Sequence, residues 1–282
     1  MLLFTNTQNS LRKNGNGFVN RYFCPVLCKK SYQAAKYSSE NRVPRAYGLL
    51  TCKLRFMKST KQESIKRREK TLKVIKTLGI DYCEGLPLIG EERLCKTTDQ
   101  VCKRFLAGFF SAMLACDYNG DRDFFENEGR KIICSFLEQF NVKSELYPDE
   151  LKIITGECDE RTAVNVSWNV ECSYALMWAL GFVSSEEMEE PSNGCDTRTM
   201  VKFVQQFNTF DEIMSACKMR SQSEVLDMFD IYYNFHWACV DKRINPSTNC
   251  GNLNEEVVME RRKALEWLIS EEQDWNEISL DT

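Results

Sequence analysis

From about Ser59 onward, hydrophobic positions recur every three to four residues, and nowhere do they alternate long enough to build a sheet. "KQESIKRREKTLKVIKTLG" predicts a charged helix stopped by Gly79, and "GLPLIG" a turn. Thr97-Thr98-Asp99-Gln100 has the form of a capping box and opens an apolar helix to about Tyr118. Further helices are expected from about Arg122 to Phe140, from Pro148, and through "ERTAVNVSWNVECSYALMWALG" to Gly181. An acidic loop, "SSEEMEEPSNG", follows, then shorter helices within 197–218. Two long helices close the chain, Ser221 to about Ile244 and about Asn254 to Ser270, separated by the breaker "NPSTNCGN". The expected class is all-α: one compact multi-helix domain over residues 59–282.

The polar residues on these helices are the informative ones. At about 100° per residue, Ser223, Asp227, Asp230, Asn234, Ala238 and Asp241 share a stripe about 80° wide. It reads as a solvated face, with Asp230 at its boundary beside Tyr233 and Trp237, where a cation could pair with it. His236, the only histidine of the chain, points the other way, among Val225, Phe229, Tyr232 and Cys239. It is expected in the core with one hydrogen bond, unless another helix brings it a partner for acid–base work. On the last helix Arg261 sits mid-face among Val257, Val258, Ala264, Leu265 and Leu268. A buried guanidinium needs a carboxylate. Glu171 projects on the side of Val164, Trp168, Ala175 and Trp178, so it is either salt-bridged, to Arg261 or Arg104, or holds a raised pKa. The expectation is that Glu171 or Asp230 meets Arg261.

Charge is unevenly spread. Residues 1–58 hold eleven Lys/Arg and one acid, Glu40, of chain totals 37 and 41, which leaves 26 bases and 40 acids in the remainder. The acidic body argues against a nucleic-acid-binding domain. The basic arm reads as a disordered extension or as sequence upstream of a natural start at Met57; the alternative is an organelle transit peptide. Otherwise the expected compartment is the cytoplasm. The 14 cysteines contain no Cys-x-x-Cys, so no metal site and no cofactor are expected. Cys102, Cys172 and Cys239 read as small buried hydrophobes of a reducing compartment. The longest apolar run, "FLAGFFSAMLAC", is too short to span a bilayer. "DYNGDRDFFENE" mimics a calcium loop, but Arg122 stands where the sharp turn wants glycine, so an interhelical turn is expected. Nucleophile elbows, P-loops and dinucleotide fingerprints do not occur.

The C-terminal motifs resemble those of a family known as domain of unknown function 4272, uncharacterised and mainly bacterial. The residues carrying the resemblance are Asp230, His236, Trp237, Ala238, Asp241 and Arg243 on one helix. Glu260, Arg261, Leu265, Trp267 and Leu268 follow on the next, then Trp275, Asp281 and Thr282. "SWNVECSYALMWALG" adds Trp168, Glu171 and Trp178. The chain departs from the family pattern at Asn234, usually arginine, and Asn276, usually aspartate. The resemblance covers about 60–282 and implies a fold and a residue cluster, not a reaction.

Two functions of different class are open at this point. One is a non-catalytic helical domain that binds another protein. The other is an enzyme, or a small-molecule or anion-binding protein, with Glu171, Asp230, His236 and Glu260 as catalytic candidates. Its binding candidates are Arg261, Arg243, Trp168, Trp178 and Trp237.

Overall fold

A computed structural model describes residues 61–272 and 274–281. The expected basic extension, residues 1–58, lies outside the described residues. Among these, every regular element is helical. In chain order they are α1 (Lys61–Thr77), α2 (Thr98–Gly120), α3 (Arg130–Gln139), α4 (Pro148–Thr155), α5 (Glu160–Ser167), α6 (Asn169–Ala179), α7 (Ser185–Glu189), α8 (Thr197–Val204), α9 (Phe210–Ala216), α10 (Gln222–Ile244) and α11 (Glu255–Ile269). A short helical turn, Arg122–Phe124, and a π-helical turn, Phe125–Gly129, lead into α3, and a 3-10 turn, Trp275–Glu277, follows α11.

α2 is the centre because its sequence is apolar on all sides. Phe105, Phe109 and Phe110 are fully buried, each stabilising the fold by about 1.5–3 kcal/mol. The capping box starts α2 as expected: the Thr97 side chain accepts from the Gln100 N–H, and the Gln100 side chain accepts from Thr97 N. Around α2 pack α3, α4, α5, α6 and α9. From α6 the packing passes outward to α11, from α11 to α10, and from α10 to α1. α1 is therefore the far end of a relay, attached mainly through α10. Its C-terminus turns at Gly79, whose φ of 67° is open to glycine, and the Ile80 N–H returns to Ile75 O at 3.0 Å.

Two expectations need correction. The helix expected through 160–181 is broken at Trp168: Trp168 N–H bonds Asn165 O at 3.2 Å and Glu171 N–H bonds Trp168 O at 3.0 Å. These shortened steps tighten the turn and shift the phase of the two halves. Val164 and Trp168 consequently stay half-buried while Glu171, Ala175 and Trp178 go inside. The acidic loop contains α7, opened by a Ser184–Glu187 capping box. The interhelical turn expected in the calcium-like stretch is present: α2 runs through Asp117 to Gly120 and turns at Asp121 into the next helical turn.

Candidate functional site

Burial of Arg261 in the middle of α11's apolar face dictates the best-formed polar contact. Its Nε and Nη2 donate to Glu171 Oε2 at 3.0 and 2.9 Å, both side chains being 3% exposed. The second oxygen of Glu171 accepts the Cys195 N–H at 2.7 Å. Arg261 Nη1 reaches Tyr232 Oη at 3.4 Å, Tyr232 donates to Met188 O at 2.8 Å, and the guanidinium lies 4.7 Å from the Tyr174 ring centroid. Burial works against the charge of Arg261, but Tyr232 and Glu171 outweigh it and raise its pKa. The expected pairing of Glu171 with Arg261 is present, and it joins α6 to α11.

Asp230 is elsewhere. Its carboxylate accepts from Arg68 of α1, at 2.8 Å from Nη2 and 3.1 Å from Nε. Arg68 also donates to Leu86 O at 3.2 Å and Pro87 O at 2.7 Å. One residue earlier, Arg67 donates to Asp227 at 2.9 Å and to Ile89 O at 2.6 Å. The acidic stripe of α10 is thus not a solvated face: Asp230, Asn234 and Ala238 are buried. Two adjacent arginines dock the stripe onto α1 and hold the 86–89 turn against it.

His236 is buried, and its Nδ1 meets Arg262 Nη1. Arginine can only donate, so Nδ1 is the acceptor and the ring is neutral. Arg262 also donates to Leu280 O at 3.2 Å and Asp281 O at 2.7 Å, fastening the C-terminal segment. Burial first, then the nearby Arg262 and Arg243 charges, lower the His236 pKa from 6.5 to about 4. As pH falls from 6.5 towards 4, the unfolded chain takes up a proton that the folded chain refuses. The stability owed to this ring is complete above that window and is lost across it. Because His236 is the only histidine, an NMR pH titration of the untagged chain follows it without assignment. The expected midpoint is about 4; one at or above 6.5 contradicts the neutral acceptor.

Glu260 is half-buried, and its Oε2 lies 3.1 Å from the Cys172 thiol. Burial raises the pKa of this carboxyl, against the pull of Lys263, and lifts the Cys172 thiol well above its ordinary range. Among the binding candidates, Trp178 is buried beneath Arg220, whose guanidinium lies 4.8 Å from its ring. Trp168 and Trp237 are half-buried. Arg243 is exposed and pairs with Glu255 at 3.1 Å.

The hydrophobic pattern left several of these groups out. Arg67 and Arg68 were hidden because the buried positions of α1, Ser64, Arg67, Arg68, Thr71 and Ile75, are nearly all polar. A further buried pair, Arg104 with Glu150, joins α2 to α4. Glu150 also accepts from Tyr147 N at 3.0 Å and Asn169 Nδ2 at 2.9 Å. Its position three residues into a Pro-initiated helix was the available signal. Arg104, a candidate partner for Glu171, is used here instead.

The sequence candidates therefore occupy separate helix–helix seams: α6–α11, α1–α10, and α10–α11 with the C-terminal segment. The enclosed space beside Arg104, Cys172, Ser173 and Trp275 has no room for a water molecule. The roomier recess is an open groove of about 530 Å³ at α8–α9, lined by Gln206, Phe207, Asp211, Glu212 and Ser215. Neither recess is lined by Glu171, Asp230, His236 or Arg261. Among the described residues, no group of three or more His, Cys, Asp or Glu side chains could hold a metal ion, and no helix is long and apolar enough to cross a membrane. A family model described as Domain of unknown function (DUF4272) matches residues 67–278. No curated protein and no solved structure matches the chain.

Proposed function

The chain belongs to the DUF4272 family, and from that premise we propose that its folded region is a non-catalytic helical domain that binds another protein. One observation carries this reading. Glu171 and Arg261 pair across one seam, Asp230 and His236 bond groups in two others, and none of the four lines either recess described above. Catalysis needs such groups to face one substrate-sized space. The open α8–α9 groove supplies a surface instead. Phe207 contributes apolar lining and the exposed Asp211 and Glu212 acidic lining, on a body with 40 acids against 26 bases beyond residue 58. A partner segment with basic and apolar side chains complements it. We place the protein in the cytoplasm: the eleven cysteines among the described residues are free thiols, as a reducing compartment keeps them. The basic arm, residues 1–58, is read as an extension of the folded region.

The test is affinity capture by the immobilised full chain, compared with Asp211→Lys and Ser215→Arg, both at exposed groove positions. The reading expects a partner retained by the wild type and by Arg243→Ala, and lost from both groove variants. Retention that ignores the groove contradicts it. So does a stoichiometric small molecule seen by native mass spectrometry on the purified chain.

A further inference from the structure

Beyond Ile269 the chain leaves the helices and runs back along α11, from Ser270 to Asp281. Between Glu271 and Asp281, Trp275 is the one buried side chain among the described residues. Both ends of the span are held through backbone carbonyls. Lys96, 4% exposed, donates from Nζ to Ser270 O at 2.7 Å and to Glu272 O at 2.6 Å. Arg262 takes the other end at Leu280 O and Asp281 O, and Arg93 pairs with Glu271 at the surface. Trp275 anchors the middle. Its ring stands edge-on to Trp267 at 5.5 Å, with Arg104 at 5.4 Å and Lys263 at 5.5 Å.

The span closes a recess. Trp275 lines it together with Arg104 and Gly108 of α2 and Asn169, Cys172 and Ser173 of α6. There is no slack inside. A water molecule does not fit, and a Cβ on Gly108 would stand 2.9 Å from Arg104 Nη2 and 3.1 Å from Ser173 Oγ. The Cys172 thiol, on a residue 1% exposed, lies 3.1 Å from the Glu260 carboxyl. The indole N–H groups of Trp275 and Trp267 are buried and meet no acceptor among the described residues. A buried tryptophan usually finds one. Closing the span therefore leaves two donors unsatisfied, and opening it lets water reach them.

We propose that residues 270–281 are a hinged strap, latched by Trp275, which opens as a unit while the helices stay folded and so uncovers Cys172. The strap is held by one indole and a few side-chain bonds to its carbonyls, which places it at the low end of local stability. α6 packs on α2 and on α11 without it. A group added to the Cys172 sulfur has no space in the closed recess, so modification of this thiol holds the strap open. In the closed state burial, then the Glu260 charge, keep the thiol protonated, well above its ordinary range. Opening removes part of that burial and makes the thiolate accessible. The state of one thiol is thereby coupled to the exposure of the C-terminal segment. No residue lining the α8–α9 groove takes part, so the strap is independent of the partner-binding reading.

The experiment treats the reduced, native full chain with iodoacetamide for increasing times and maps the peptides by mass. The Cys172 sulfur displaces iodide, the S–C bond forming as the C–I bond breaks, and the thiol proton passes to the buffer. The reference is Cys102 of α2, which is as enclosed as Cys172 but does not line the recess. The expected result is alkylation of Cys172 about tenfold faster than of Cys102, because local opening is more frequent than global unfolding. Trp275→Ala should raise the Cys172 rate by about a further tenfold and leave Cys102 unchanged. In the chain alkylated at Cys172, hydrogen exchange should find residues 270–281 unprotected and α2 still protected. Equal rates at the two cysteines in the wild type overturn the proposal, since only global unfolding then reaches Cys172. A Cys172 rate that Trp275→Ala leaves unchanged overturns it as well. A variant that fails to fold raises both rates together, and the wild-type comparison then decides.

Discussion

Asp230→Ala should lower the unfolding free energy by about 3–5 kcal/mol, as breaking a buried ion pair from one side does. The carboxylate removed is 1% exposed and takes two donors from Arg68, whose side chain is 10% exposed. Without it the guanidinium stays in the seam with only the Leu86 and Pro87 carbonyls. The cost is local as well as global. α1 is joined mainly to α10, so its amides should lose hydrogen-exchange protection before those of α2. Asp227→Ala, at a carboxylate 28% exposed, should cost less because water can replace part of what is lost. Urea denaturation gives the first effect and exchange mass spectrometry the second. Asp230→Ala with an unchanged midpoint would remove the docking role of Arg68.

Arg261→Met should cost about the same, 3–5 kcal/mol, for the opposite reason. It leaves the Glu171 carboxyl buried, with the Cys195 N–H as its remaining close donor. It also takes a donor from Tyr232 and the cation from the Tyr174 face. Replacing both charges at once, Glu171→Leu with Arg261→Met, should be milder than the two single changes together. No buried charge is then left unpaired, and the new side chains are apolar.

The contrast between these two sites explains what was legible in the sequence. Arg261 stands among apolar neighbours at helical spacing, so its burial and its need for a carboxylate could be read from α11 alone. Glu171 stood out in the same way. Asp230 did not, because its partner lies on α1, whose buried face is made of Ser64, Arg67, Arg68 and Thr71 with Ile75. Hydrophobic periodicity carries no signal where a helix docks through arginine. The core location of His236 was readable, but its partner was not. Arg262 follows Arg261 directly, and one residue turns it by about 100°, towards α10 and the C-terminal segment. The break at Trp168 left no trace because neither glycine nor proline marks it. The separation of the candidates into different seams depends on how five helices pack, α1, α6, α10, α11 and α2, and no single helix contains that information.

These buried charges hold helices together, and on the proposed reading that is their role in place of a reaction centre. The most direct test is a double-mutant cycle on Glu171 and Arg261, read by urea denaturation at neutral pH. The account predicts that each single change loses about 3–5 kcal/mol and that the double change loses clearly less than their sum. Single variants as stable as the wild type, or more stable, would contradict it, because groups strained into a catalytic site commonly destabilise the fold that carries them.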